Sequence, residues 1–187
     1  MLEKNFQNLF VEFCKKNKFE INNQQIEIIN LLNNFINPKK GFLSFLTSSK
    51  EKLCFYLHGN VGVGKTMILD FFYNKLKIKK HRLHFNQFMI NFHDFRHETS
   101  DNNSIQNFVR HLKKKYALIY LDEFQVTNIV DAMILGKLFE VIFLEKLKII
   151  ITTNTKLNKL YKDGLQREQF LPFISLIKKF SIQKELE

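Results

Sequence analysis

The chain has 187 residues, 45% hydrophobic and 25% charged, which suits one folded domain with its own core and excludes a disordered or fibrous protein. No apolar run approaches the roughly 18 residues of a membrane span, which excludes an integral helical membrane protein. Twenty-nine Lys and Arg against 18 Asp and Glu give +11, a charge that suits nucleic acid, an anionic surface or an acidic protein. Only Arg82, Arg96, Arg110 and Arg167 are arginines, however, and the abundance of Lys, Asn, Ile and Phe is what AT-rich coding produces. The basic residues are also spread along the sequence, so nucleic acid is not the expected partner.

The N-terminus has neither the apolar core of a secretory signal nor the arginine-rich, acid-poor character of a mitochondrial transit peptide, so the expected location is the cytoplasm. Residues 1–50 read as a helical segment. Leu2, Phe6, Leu9, Phe10 and Phe13 recur at helical spacing, as do Ile26, Ile29, Leu32, Phe35 and Ile36, with Pro38 and Gly41 ending the second run. Cys14 and Cys54 lack metal-ligand spacing and read as small core residues of a reducing compartment.

Residues 51–187 form a second unit of different texture, with short apolar runs alternating with helical patterns. Strands are expected at 53–57, 83–85, 117–121, 147–152 and 180–183. Helices are expected at 66–76, 88–96, 105–113, 129–144 and 165–177, with a polar loop near 97–104. Nearly continuous apolar strands alternating with helices imply an α/β fold with a parallel sheet covered on both faces.

The first strand runs into Gly59-Asn60-Val61-Gly62-Val63-Gly64-Lys65-Thr66 and then a helix, the G-x-x-x-x-G-K-[ST] pattern of a phosphate-binding loop. Glycines let backbone N–H groups converge on phosphate oxygens, and the helix N-terminus adds positive dipole at the same point. Lys65 is expected on the β- and γ-phosphates, and the Thr66 hydroxyl on Mg²⁺. Sixty residues on, an apolar strand delivers Asp122 and Glu123 at its tip. Asp122 is the expected Mg²⁺ partner of Thr66 and Glu123 the expected general base for the attacking water. The next strand ends in Thr152-Thr153-Asn154, where a polar side chain can reach the water or the γ-phosphate. The base-reading Asn-Lys-x-Asp of GTPases is absent, which favours ATP.

From Leu121 to Phe139 the sequence closely resembles the ZapE family of AAA+ ATPases, which includes bacterial division-associated proteins and mitochondrial relatives. The resemblance extends to His84-Phe85-Asn86-Gln87-Phe88-Met89 with His93, and to Gly164-Leu165-Gln166-Arg167 with Phe170-Leu171-Pro172-Phe173-Ile174, covering about residues 53 to 177. It implies an AAA+ core with strand order 5-1-4-3-2, ATP and Mg²⁺ as ligands, and a homo-oligomeric ring. It places Lys65 and Thr66 in Walker A, Asp122 and Glu123 in Walker B, Asn154 at sensor 1 and Arg167 at the arginine finger. Thr155 departs from the arginine usual after the sensor asparagine. The family continues into a helical lid with an Asp-Tyr-Arg motif, whereas this sequence ends at Glu187, so the expectation is a core without the lid.

The resemblance implies an ATPase coupled to a protein client, in bacteria through the FtsZ ring. A nucleotide-dependent binding module with little turnover and a DNA-associated helicase-loader-like ATPase are the alternatives. His84 and His93 read as packed or hydrogen-bonded rather than metal-bound. Lys113, Lys114 and Lys115 read as a solvated helix end. Exposed phenylalanines of residues 1–50, or the helix bearing Met133, Leu135, Leu138 and Phe139, are candidate partner surfaces.

Overall fold

The structure is a computed structural model and describes residues 6–38, 51–99 and 103–187. Five strands, β1 (Cys54–Gly59), β2 (Lys80–His84), β3 (Leu118–Asp122), β4 (Lys148–Thr153) and β5 (Ser181–Leu186), form one sheet in the order β2-β3-β4-β1-β5. Every pairing is parallel. Read from the other edge this is the 5-1-4-3-2 order of the AAA+ core.

Period-two side chains divide the sheet between two cores. On one face Phe55, Leu57, Tyr120 and Ile150 pack under α1 (Phe6–Asn17), α2 (Asn23–Ile36) and α3 (Lys65–Lys75). On the other, Tyr56, Ile119, Leu121 and Ile151 pack under α4 (Phe85–Thr99), α5 (Ser104–Lys115), α6 (Ile129–Leu144) and α7 (Arg167–Phe180). Both faces of the three inner strands are therefore apolar, which is why they read as unbroken hydrophobic runs. The two N-terminal helices are tied down through Phe10, which meets Phe71 edge-on at 5.1 Å, and through Phe35, 5.9 Å from Phe55.

The structure corrects the expected course of β2. The strand lies at Lys80–His84, and Phe85 opens α4. As the sheet's edge it needs only one apolar residue, Leu83, so no hydrophobic run marks it. The loop expected near 97–104 shrinks as α4 extends to Thr99 and α5 starts at Ser104, and residues 100–102 lie outside the described ones, as does Gly41. The partner surface expected on α6 is also corrected. Leu135, Leu138 and Phe139 are fully buried and only Met133 is open, because α6 is wedged between the sheet and α7. Phe139 meets Phe173 of α7 at 5.0 Å. Of the N-terminal phenylalanines, Phe19 is exposed.

Parallel topology brings all strand C-termini to one end and the helix C-termini that feed the strands to the other. Lysines spread through the sequence gather at that second end: Lys75 ending α3, Lys77 and Lys79 between α3 and β2, the last three residues of α5, and Lys178 and Lys179 in the last turn of α7. Some bind the carbonyls left open there. Lys113 Nζ donates to Lys146 O at 2.7 Å and Lys52 Nζ to Lys179 O at 3.0 Å. Among the described residues none of these lysines is in an ion pair.

Directly after the β3 tip, Phe124 is buried against Phe85 at 4.2 Å and stacks on Phe173 at 5.7 Å. Phe124→Ala should lower stability by about 3–5 kcal/mol, read as a fall in the denaturant midpoint.

Candidate functional site

The strand C-termini converge on a cleft of about 310 Å³ lined by residues of the Gly59–Thr66 loop, by Asp122 and Glu123 at the tip of β3, and by Thr152, Thr153 and Asn154 at the tip of β4. Of the sequence-predicted residues, Val61, Gly62, Gly64, Lys65, Thr66, Asp122, Glu123 and Asn154 line it, whereas Gly59, Asn60, Val63 and Arg167 do not. Gly59 belongs to the packing of the sheet, since a Cβ there would lie 2.1 Å from the Leu186 carbonyl oxygen of β5. Gly64 caps α3 with φ +94°, a left-handed conformation that costs glycine little, and turns the chain so that Lys65 starts the helix. Asn60, Val61, Gly62 and Val63 complete the loop, with Val61 and Gly62 on the cleft wall.

Lys65 is buried, and its ammonium donates to Gly59 O and Asn60 O, both at 2.7 Å, and to Asn154 Oδ1 at 2.9 Å. Burial lowers its pKa against the opposing pull of Asp122. The lysine is thus held inside its own loop, with the β4-tip asparagine as third acceptor. Thr66 lines the same cleft.

Asp122 is buried at 6% exposure, and three hydrogen bonds hold its carboxylate. Oδ1 accepts from Thr152 Oγ1 at 2.5 Å and from the Glu123 backbone N–H at 3.1 Å. Oδ2 accepts from Arg82 Nη2 at 2.6 Å. Burial pushes the carboxyl pKa up, but the Arg82 guanidinium and Thr152 hydroxyl outweigh it and hold it below the usual carboxylate range. Arg82 pairs with Asp70 of α3 through its other terminal nitrogen and lies over the Tyr120 ring at 4.8 Å.

Glu123 follows the strand with φ +53°, and its carboxylate is exposed, 3.5 Å from His84 Nδ1 at the tip of β2. His93 bonds Asp131 at 2.8 Å across α4 and α6. Arg167, the first residue of α7, does not line the cleft. Its Nη2 donates to Asn158 O at 2.9 Å, and its Nε is buried without a partner.

Thr66 hydroxyl and Asp122 carboxylate are hard oxygen donors facing one cleft, a set that fits Mg²⁺. Among the described residues no group of three or more His, Cys, Asp or Glu could hold a metal. Mg²⁺ needs none, since it keeps several waters and takes further ligands from substrate phosphates.

Two contributors, Arg82 and Gln25, escaped the sequence reading, and Thr152, read there only as part of a polar strand tip, acts on Asp122. Arg82 and Thr152 reach Asp122 from neighbouring strands. Gln25 of α2 is buried against the loop, with its amide nitrogen 3.4 Å from Val63 O. The single sequence signal for Arg82 is that it is an arginine in a lysine-dominated chain.

The sequence profile of the AFG1-like ATPase family matches residues 23–183. The chain belongs to the AFG1-like ATPase family. Lactation elevated protein 1 homolog B of Danio rerio is 38% identical over 139 residues, covering 67% of this chain and 28% of that protein. Cell division protein ZapE of Escherichia coli K12 is 37% identical over 125 residues, 66% of this chain and 33% of its own length. This AFG1-like chain therefore spans about a third of the length of the curated relatives it matches. Among solved structures, that of DnaI superposes with a TM-score of 0.62 at 18% identity, covering 91% of this chain and 89% of that one. That likeness concerns the fold alone.

Two imidazoles give the protein a testable acid sensitivity. Burial lowers the pKa of His58, which precedes the loop, with Lys156 and Lys65 lowering it further and Glu185 opposing. Burial, with Lys115, also lowers that of His81. Both therefore titrate below 6.5 in the folded chain. The unfolded chain takes up these protons first, so their contribution to stability is complete above about pH 6.5 and is lost as pH falls through the folded values. The double replacement His58→Gln, His81→Gln should flatten the fall in denaturant midpoint below that pH.

Proposed function

We propose that the protein binds Mg²⁺–ATP in this cleft and hydrolyses it to ADP and phosphate, coupling the cycle to a protein client. The observation that carries this reading is the convergence of Lys65, Thr66, Asp122, Glu123 and Asn154 on one cleft at the carboxyl ends of a parallel sheet. Membership of the AFG1-like ATPase family supports it. In this reading the loop N–H groups and the α3 N-terminus take the phosphates. Lys65 exchanges its three protein acceptors for β- and γ-phosphate oxygens. Thr66 and Asp122 would hold a Mg²⁺ ion, which would supply charge neutralisation for the phosphates. Glu123, exposed beside His84, accepts the proton of the attacking water. Asn154, released by Lys65, orients that water or the γ-phosphate.

Arg167 does not line its own cleft, so in this reading it serves a neighbouring copy across a homo-oligomer interface. The name of the Escherichia coli relative points to a division-associated client, and the FtsZ ring in the cytoplasm is the candidate.

Phosphate release measured against protein concentration tests the reading. Specific activity should rise with concentration. Arg167→Ala should lower turnover by about 10³-fold or more, as for arginine fingers of related enzymes. Lys65→Ala should lose nucleotide binding, and Glu123→Gln should keep binding but lose release. Full activity in both variants would refute the assignment.

A further inference from the structure

We propose that Arg82 is a positioning residue for the metal side of this cleft, fixing which face of the Asp122 carboxylate is left for Mg²⁺. The inference rests on the nucleotide reading above but concerns a side chain outside the cleft lining.

A carboxylate offers about four lone-pair sites. At Asp122 the Thr152 hydroxyl and the Glu123 N–H fill the two on Oδ1, and Arg82 fills one on Oδ2. One remains. Its direction is set by the Arg82 guanidinium, because without that bond Oδ2 has two open positions and nothing to choose between them. Mg²⁺ makes this choice matter, since it tolerates little departure from octahedral geometry.

Arg82 is itself held from three sides. One terminal nitrogen is on Asp122, the other on Asp70, and its plane lies over the Tyr120 ring at 4.8 Å. Asp70 stands four residues after Thr66 on α3, one helical turn along the same side. The guanidinium therefore bridges the helix that carries Thr66 and the strand that carries Asp122. It joins the two pieces that must approach the same ion. A planar fork can reach both carboxylates at once, whereas an ammonium is a single point charge on a flexible stem.

The test is the Mg²⁺ concentration giving half-maximal binding of a fluorescent ATP analogue, compared with binding of the same analogue in EDTA. Arg82→Lys keeps the charge and loses the fork, so it separates positioning from electrostatics. It should raise the Mg²⁺ requirement by about ten-fold, the lower end of what outer-shell changes cost in metal affinity. Binding in EDTA should stay as in the wild type, because the Gly59–Thr66 loop is untouched. Asp70→Asn, which leaves the Asp122 pairing in place and weakens the link to α3, should give a smaller shift in the same direction. A purely structural role would change thermal stability and EDTA binding with no effect specific to Mg²⁺, and that result would overturn the proposal. So would an Arg82→Lys variant with the wild-type Mg²⁺ curve. Wild-type protein that binds no nucleotide would instead refute the nucleotide reading on which the proposal rests.

Discussion

A buried carboxylate has to be paired, and much of the cleft is arranged around that requirement at Asp122. Removing one partner from a buried charge costs several times what an exposed pair is worth. Arg82 and Thr152 come from the strands on either side of β3, so the pairing can form only when β2, β3 and β4 are in register. The same register that brings Arg82 across Tyr120 lines up the strand tips. Charge satisfaction and alignment of the site are thus one condition.

The phosphate loop was legible because its chemistry is local. Eight consecutive residues carry the turn, the amides, the lysine and the hydroxyl, and nothing distant is needed to recognise them. The three inner strands were legible for a different reason. They are buried on both faces and so leave an apolar run in the sequence. β2 sits at the edge and leaves none, which is why only Leu83 and His84 of Lys-His-Arg-Leu-His were expected in a strand. Strand order came from the family resemblance rather than from periodicity, since apolar runs say nothing about which strand neighbours which.

The Asp122 partners were hidden by distance along the chain. Arg82 lies forty residues before Asp122 and Thr152 thirty after it. A side chain on an adjacent strand obeys no spacing rule that a single sequence displays. The α6 surface misled in the opposite direction. Its run of apolar residues looked like an available face, but a helix clamped between a sheet and another helix has little free face. Gln25 illustrates a third case. Its burial depends on how an N-terminal helix docks against the loop, which periodicity can announce only as a helix.

The lysines at the far end of the sheet change what the net charge of +11 means. Ions in a cell blur a charge over a Debye length of about 8 Å. At the cleft end Lys156 is matched by Glu185 and Lys184 by Glu27, so part of the nearby positive charge is already answered. In the proposed reading, a polyphosphate at the loop would be held by short-range amides and one buried ammonium rather than drawn in from afar. The unpaired lysines lie at the other pole, a strand of five or six residues and about 17–20 Å away, beyond that screening length.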